Sequence, residues 1–253
     1  MSLKSFVQRL ALAASVLLVG SQAVAGVVIT GTRVIYPAAQ KEVTVKLNNN
    51  GSLPALVQAW IDTGDMTSSP SSSSAPFILS PPVFRIDPSK GQSLRMIFTG
   101  APLQQAKEAV FWLNVLEIPP APEAQPDANV LQMAFRSRIK IFFRPVGLSG
   151  NPIEAMEQIQ WKVVRAANGP GYALQAFNPS AFHVSLADLN VVANSQHIAS
   201  EDGMVGPGET ETFDLKEPSA VPPAGATVEF NAINDYGALV PVKQPLRPFG
   251  SGQ

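Results

Sequence analysis

Two histidines, His183 and His197, are the first candidates for acid–base or metal chemistry. Each is isolated in the sequence, and neither has a second histidine at the spacing that metal sites use. We therefore interpret both as packed or surface residues. Ser149 lies in the segment GLSGN, whose last residue is an asparagine where a nucleophile elbow has a glycine. The usual nucleophile and base arrangements are thus incomplete.

Carboxylates, thiols and glycine loops give no stronger sign of catalysis. Asp62 and Asp65 are close in sequence, but beside glycine they are typical of turn carboxylates. A carbohydrate-active enzyme would need a paired-carboxylate site, and none can be assigned here. The chain has no cysteine, which counts against disulfide scaffolds, zinc–thiolate sites and cysteine nucleophiles. The segment 203–208 lacks the spacing of a phosphate-binding loop. We predict no metal, no cofactor, no nucleotide and no enzymatic activity.

The clearest structural signal is a strand pattern in the segment Asn129 to Pro145, NVLQMAFRSRIKIFFRP. Its apolar positions share one parity: Leu131, Met133, Phe135, Ile139, Ile141 and Phe143. Its polar and charged positions share the other: Gln132, Arg136, Arg138, Lys140 and Arg144. Alternation with a period of two predicts a β-strand much longer than the usual length of about five or six residues. The surplus apolar edge either packs in its own domain or binds a partner.

Short apolar runs separated by proline, glycine and asparagine fill the rest of the chain and predict an all-β protein. In the first half the candidate strands are Val27 to Val34, Glu42 to Asn48, Ala55 to Ile61, Phe77 to Ile86, Ser93 to Thr99 and Ala109 to Ile118. In the second half they are Trp161 to Ala166, Tyr172 to Asn178, His183 to Val192, Thr210 to Leu215, Thr227 to Ile233 and Leu239 to Val242. Helix is expected to be scarce, with one turn at most over Ala101 to Lys107.

Composition shifts divide the chain into three parts. Residues 1–25 have Lys4 and Arg9, a short apolar run and Ala23-Val24-Ala25, which predicts a signal peptide cleaved after about Ala25 and export to the periplasm. Residues 147–152 predict a linker, because they are rich in residues that end regular structure. We therefore predict an N-terminal domain of residues 26–146 and a C-terminal domain of residues 153–253.

Charge and hydropathy narrow the class of partner. Loss of the leader removes two positive charges, so the formal net charge changes from −1 to −3. A mildly acidic chain has no overall electrostatic case for binding nucleic acid. No apolar run is long enough to span a membrane. The serine-rich segment Ser68 to Ser74 predicts a flexible loop of unassigned purpose.

Six segments in order resemble the periplasmic chaperones of the chaperone–usher pilus pathway (the PapD-like family). They are Thr32 to Pro37, Pro76 to Val83, Phe111 to Pro120, Asn129 to Pro145, Phe177 to Ser180 and Ile233 to Gly237. The resemblance implies two immunoglobulin-like β-sandwiches set at an angle, with a cleft between them. It also implies a chaperone that binds pilin subunits by donor-strand complementation and delivers them to an outer-membrane usher.

The same resemblance assigns roles to individual residues. Leu131, Met133 and Phe135 would be the donor residues of a strand lent to an incomplete pilin sandwich; chaperone–pilin pairing is itself a known example of this β-augmentation. The donor residues share a parity with the core residues Ile139 to Phe143, and either strand twist or a bulge near Ser137 would reconcile the two roles.

Five charged residues match two further groups in the family. Arg33 and Lys140 would bind the C-terminal carboxylate of the pilin, to which a pair of cations offers charge-assisted hydrogen bonds. Glu108, Arg144 and Asp235 would form an ion network that fixes the angle between the domains.

Some features refine the resemblance. The segment between Pro120 and Asn129 is short and has no cysteine pair, which is similar to the short-loop subclass of the family. Pro81 matches a position where relatives have a cis peptide bond, but the sequence does not give the isomer. An exposed strand edge also favours association, so we predict weak dimers of the free chaperone.

An alternative interpretation is an exported structural pilus subunit or adhesin. Such a subunit would need its own N-terminal donor extension, and here Gly26 leads almost directly into Arg33, which leaves no room for one.

Overall fold

The structure, a computed structural model, describes residues 26–121, 131–167, 171–216, 221–223 and 225–246. Within these ranges the chain is almost entirely β, and its sheets form two sandwiches, each with its own apolar core. The predicted all-β class with two sandwiches is confirmed. The predicted leader, residues 1–25, and the first two residues of the predicted long strand, 129–130, lie outside the described residues.

The first sandwich contains nine strands. They are β1 (Val27–Ile29), β2 (Arg33–Pro37), β3 (Val43–Asn49), β4 (Ala55–Asp62), β5 (Phe77–Ser80), β6 (Val83–Ile86), β7 (Gly91–Phe98), β8 (Ala109–Ile118) and β9 (Phe135–Arg144). One sheet has the order β1-β3-β7-β5, and the other has the order β2-β9-β8-β4-β6. All pairs are antiparallel except β2 with β9, which run parallel.

Period-two alternation explains why these segments form strands. In β3, Val45 and Leu47 are buried while Thr44 and Lys46 are exposed, so one face enters the core and the other faces solvent. The core between the two sheets is apolar and includes the fully buried side chains of Leu47, Val57, Leu94, Met96, Leu113 and Ile141.

The second sandwich contains eight strands. They are β10 (Gln160–Arg165), β11 (Tyr172–Phe177), β12 (Val184–Ala193), β13 (Gln196–Ala199), β14 (Gly203–Val205), β15 (Thr210–Asp214), β16 (Thr227–Ile233) and β17 (Leu239–Pro245). Strands β10, β11 and β15 form one sheet, and β13, β12, β16 and β17 form the other, with β14 paired to β12. Trp161, Leu174, Leu186 and Val228 are among the residues buried between them.

A helix absent from the sequence-based prediction joins the sandwiches. It is α1 (Pro152–Gln158), and Asn151 caps it by accepting hydrogen bonds from the N–H groups of Ile153 and Glu154. Asparagine at the N-cap, proline in the first turn and an early glutamate are standard start signals. The predicted turn at residues 101–107 is not helical. The signals for α1 were present, but they lie at the end of a segment interpreted as linker.

Two predicted strands are divided in the structure. The run Val27 to Val34 is divided between β1 and β2, which belong to opposite sheets. The run Phe77 to Ile86 becomes β5 and β6, which belong to opposite sheets and are separated by Pro81 and Pro82. Proline has no N–H to contribute to a ladder, so the pair ends one strand before the next begins. The Ser80–Pro81 peptide bond is cis. No helix among the described residues is long and apolar enough to cross a membrane.

Candidate functional site

The parallel pairing of β2 with β9 brings two cations together. Arg33 lies opposite Lys140 in the register. Side chains paired in register on neighbouring strands project from the same face of the sheet. The Arg33 guanidinium donates through Nη1 to the carbonyl of Ile233 at 2.7 Å, and the Lys140 ammonium lies 3.4 Å from the hydroxyl of Ser185. Both cations therefore lie where the first sandwich meets β12 and β16 of the second.

Burial and mutual repulsion act on this pair. Burial, and after it the nearby charge of Arg33, lowers the pKa of Lys140 to about 8. Burial also lowers the pKa of Arg33, partly offset by the negative charges of Asp235 and Glu108. Arg33 stacks over the ring of Phe142, and its Nε is a buried nitrogen without a hydrogen-bond partner in the described part of the chain. An anion placed between the two cations would offset their mutual repulsion and stabilise the charged forms of both side chains despite their burial.

A turn of the second sandwich stands beside Arg33. It connects β16 to β17, and Gly237 within it has a φ of 82°. A Cβ at this glycine would lie 2.4 Å from the hydroxyl of Thr32, so the turn packs tightly against the residue before Arg33. Asn234 holds the turn by accepting from the N–H groups of Tyr236 and Ala238.

An ion network connects the sandwiches next to the cation pair. Arg144 donates through Nε and Nη2 to Glu108 Oε1 at 3.0 and 2.8 Å, and through Nη1 and Nη2 to the two oxygens of Asp235 at 2.8 and 3.0 Å. Burial would lower the pKa of Arg144, but the bonds to Asp235 and the charge of Glu108 outweigh it and raise the pKa. The structure thus places all three residues of the predicted network in contact across the domain junction.

His183 is a fourth member that the sequence interpretation missed. Its backbone N–H and its ring Nδ1 lie 2.8 and 3.0 Å from Glu108 Oε2, and its ring lies 5.7 Å from that of Phe142. The Glu108 carboxylate is therefore bonded through both oxygens and is almost fully buried. His183 is packed, as predicted, but at the domain junction. No spacing rule could find it, because its partner is 75 residues away.

The segment that was predicted to donate a strand is exposed and only partly in a strand. The exposed fractions of Leu131, Met133 and Phe135 are 82, 50 and 58%. The prediction of one strand from Asn129 is wrong in extent, because β9 begins at Phe135, opposite Glu117. Its partner β8 ends one residue later and two prolines follow, so residues 131–134 have no neighbouring strand among the described residues.

The first part of β9 has one free edge. Residues 135–139 pair with β8 on one side, whereas β2 begins only at Arg33, opposite Lys140. In the described chain no strand lies on that second side of residues 135–139. Backbone N–H and C=O groups on this edge are unpaired by any ladder, which makes it a template for an added strand.

The register of β9 excludes one of the two explanations offered for its parity. Pairing with β8 runs without a shift from Glu117–Phe135 to Ala109–Phe143, so no bulge occurs at Ser137. Phe135 and Ser137 line a cavity of about 570 Å³ with Gly26, Leu53 and Glu117 at the end of the sandwich. The donor and core residues share one face, and the core simply stops covering that face towards Phe135.

The sequence also matches known families over almost all of its described length. Residues 26–149 match the family model of the PapD N-terminal domain, described as a pili and flagellar-assembly chaperone. Residues 154–244 match that of the PapD C-terminal domain, described as a pili assembly chaperone. The chain belongs to this family of pili-assembly chaperones. The fold is accordingly two immunoglobulin-like sandwiches of the PapD type.

Individual relatives of the family agree in length and fold. The chaperone protein FimB/FhaD of Bordetella pertussis is 43% identical over 226 residues, which cover 88% of each chain. The probable fimbrial chaperone YadV of Escherichia coli K12 is 41% identical over 223 residues, 87% of this chain and 89% of YadV. The crystal structure of a YadV chaperone superposes with a TM-score of 0.75 over 88% of this chain and all of that one.

One similar structure contains a bound partner. It is the Salmonella enterica SafB chaperone in complex with the SafA pilin, with a TM-score of 0.71 and 27% identity over 90% of this chain and 99% of that one. A third structure is that of the periplasmic chaperone SfaE, with a TM-score of 0.64 and 30% identity over 86% of this chain and 98% of that one.

Proposed function

We propose that the protein is a periplasmic chaperone that binds pilin subunits by donor-strand complementation and delivers them to an outer-membrane usher. The observation that carries this proposal is the free edge of β9, which ends at the cation pair of Arg33 and Lys140. Membership of the chaperone family and the chaperone–pilin complex of SafB with SafA support it. We further propose that the leader is cleaved after about Ala25 and that the mature chain acts in the periplasm, where it would meet such subunits.

The position of β2 supports one direction for the bound strand. A strand added beside residues 135–139 of β9 lies in line with β2 and meets it at Arg33. If its C-terminal carboxylate is bound by Arg33 and Lys140, the strand runs towards Lys140, and so in the same direction as β9. We therefore propose a parallel pairing between the last strand of the pilin and β9.

The donor side chains would supply much of the affinity. Leu131, Met133 and Phe135 are on one parity and all are at least half exposed. Burying three such side chains in an acceptor groove contributes on the order of 5–9 kcal/mol before association costs. Residues 131–134, which have no strand partner among the described residues, would extend β9 once the pilin supplies one.

The ion network would keep the site assembled. Arg144, Glu108 and Asp235 join the sandwiches next to the cation pair, and a buried network of this kind supports a defined geometry more surely than it adds stability. We propose that it fixes the angle between the two domains and hence the cleft in which the pilin carboxylate binds. The protein would act by binding alone, without cofactor or catalysis.

Co-purification tests the proposal. The protein is co-expressed in the periplasm with candidate pilin subunits, as wild type, as Lys140→Ala and as Lys46→Ala, which removes an exposed lysine of β3. We expect a one-to-one complex with wild type and with Lys46→Ala, and a weakening of roughly 2–5 kcal/mol in Lys140→Ala. Absence of any complex with wild type would contradict the chaperone role, and an unchanged complex in Lys140→Ala would remove Lys140 from the site.

A further inference from the structure

A buried polar cluster covers the outer face of the five-stranded sheet, away from the core. At its centre is Asp62, the last residue of β4, whose side chain is 2% exposed. Its carboxylate accepts hydrogen bonds from Arg138 Nη2 at 2.5 Å, Asn114 Nδ2 at 2.6 Å, Gly64 N at 2.8 Å and Ser68 Oγ at 3.0 Å. Asp62 is thus more than the turn carboxylate that its sequence context predicted.

Two arginines of β9 reach across the sheet into this cluster. The register places Arg138 opposite Asn114 on β8, so its side chain must cross β8 to reach Asp62 on β4. On the way it stacks over the ring of Trp112, with the guanidinium carbon 4.7 Å from the ring centroid. Arg136 stacks over Trp60 in the same way, at 4.8 Å. Such stacks fix the direction of a long side chain as well as stabilising it.

The same cluster fastens the serine-rich loop to β9. Arg136 donates to the carbonyl of Met66 at 2.8 Å, to Ser68 Oγ at 3.3 Å and to Asn114 Oδ1 at 2.9 and 2.6 Å. Trp60 Nε1 donates to the same Ser68 hydroxyl at 3.1 Å. The segment that the sequence predicted to be a flexible loop of unassigned purpose is therefore bonded to the strand with the free edge.

The two arginines connect the cluster to the part of β9 that has the free edge. Arg136 and Arg138 belong to residues 135–139, the part of β9 that pairs on one side only within the described ranges. A strand held by a single ladder is freer to bend or fray than one held on both sides. Here side chains of alternate residues on the outer face are held to β4, β8 and the loop, while the unpaired backbone edge stays open.

We infer that Asp62 is a positioning residue that holds residues 135–139 of β9 extended, so that the donor edge is formed before the pilin binds. The serine-rich loop, which is bonded to the same cluster, helps to hold this segment in place. This inference rests on the proposed function, because it concerns the same edge. Ordering the strand in the free protein lowers the conformational cost of binding, and this gain is the general advantage of a preorganised site.

Hydrogen exchange of the free protein provides the first test. The variant is Asp62→Asn, and its matched control is Asp87→Asn, which makes the same change in an exposed ion pair with Arg85. We expect those amides of residues 135–139 that are bonded to β8 to exchange about ten- to a hundredfold faster in Asp62→Asn, a factor typical of losing a hydrogen bond to a charged group. Amides 141–144 of Asp62→Asn, and all of these amides in the control variant, should exchange at wild-type rates.

Binding kinetics give the second test. With a pilin that binds wild type, Asp62→Asn is expected to lower the association rate and affinity by about tenfold or more, while Asp87→Asn leaves both unchanged. Ser68→Ala, which removes only the shared hydroxyl, provides a milder variant if Asp62→Asn does not fold. It should shift both readouts in the same direction by a smaller factor.

The outcomes separate this inference from the proposed function. Faster exchange spread equally over residues 135–144 would overturn it, because the cluster would then serve stability alone. Wild-type exchange at residues 135–139 in both variants would overturn it as well. If wild type binds no pilin, the proposed function fails, but the exchange experiment needs no pilin and still decides whether Asp62 positions the edge.

Discussion

The two halves of one strand behave differently in this protein. Residues 140–144 of β9 lie between β2 and β8, and Ile141 and Phe143 are buried in the core. Residues 135–139 continue the same alternation, but in the part of the chain that the structure describes they pair with β8 alone, and Phe135 is 58% exposed. The pattern of side chains is the same in both halves. The difference lies in the neighbours, because β2 begins at Arg33 and goes no further along β9.

The comparison suggests a division of one strand between folding and the proposed binding of a pilin. The buried half fixes β9 in the sandwich and carries Lys140 and Arg144 to the domain junction. The exposed half keeps a free backbone edge and apolar side chains, and its opposite face is held by Asp62. Separate variants in the two halves should therefore affect different properties.

The largest effect is expected at the domain junction. Arg144→Ala removes the shared partner of Glu108 and Asp235 and leaves Glu108 buried with only His183. Breaking a buried ion pair in this way costs about 3–5 kcal/mol. Chemical denaturation should show the loss in the free energy of unfolding. The control Arg95→Ala, in an exposed pair with Glu42, should cost less than about 1 kcal/mol; equal losses would contradict a special role for the network.

The next effect separates the halves of β9 directly. Ile141→Ala opens a cavity in the core and should cost about 2–5 kcal/mol of unfolding free energy. Leu131→Ala acts on an 82% exposed side chain and should change stability by less than about 0.5 kcal/mol, yet weaken the pilin complex. Urea denaturation and pilin affinity, measured on both variants, test the contrast. A strongly destabilising Leu131→Ala would mean that the donor segment belongs to the core.

A smaller effect concerns the pH dependence of the cation pair. Burial, followed by the charge of Arg33, lowers the pKa of Lys140 from 10.5 to about 8. The charged form of Lys140 is therefore less favourable in the folded protein than in the unfolded chain. As pH rises from about 8 to 10.5 the folded protein loses this charge first, so the free energy of unfolding should increase over that range. Carboxylate binding needs the charged form, so pilin affinity should fall by up to about tenfold per pH unit above that pKa.

The control for this prediction is Lys140→Arg, which keeps its charge throughout the range. Affinity is measured from about pH 7 to about pH 9.5, where only the wild-type protein should lose affinity steeply. An equally steep fall in Lys140→Arg would assign the titration to another group.

The smallest effect is self-association of the free protein through its open edge. Concentration-dependent sedimentation should detect a weak dimer that Phe135→Ser abolishes, because Phe135 is the exposed aromatic residue at the start of β9. Only monomer at high concentration would contradict this prediction.

Some elements of the fold could be predicted from the sequence with correct bounds. Strand β8 (Ala109–Ile118) and strand β16 (Thr227–Ile233) were predicted over the ranges that the structure gives. Both are apolar and β-branched runs, and turn or loop residues adjoin them. The start of β9 was not predictable in the same way, because it depends on where the neighbouring strand β8 ends.

The candidate site was predictable only through the family resemblance. Arg33, Lys140 and Arg144 carry no local signal that distinguishes them from other strand-face cations. His183 and Asp62 had local contexts that favoured structural roles. Their partners lie 75 and 76 residues away, so only the tertiary structure shows that one bonds to the junction and the other to the donor strand.

Hydrogen exchange of the wild-type protein with and without a bound pilin tests the central claim most directly. If β9 lends its free edge, amides in residues 131–139 become strongly protected in the complex, while those in 141–144 are already slow in the free protein. Protection confined to other strands, with residues 131–139 exchanging as before, would contradict donor-strand complementation by β9.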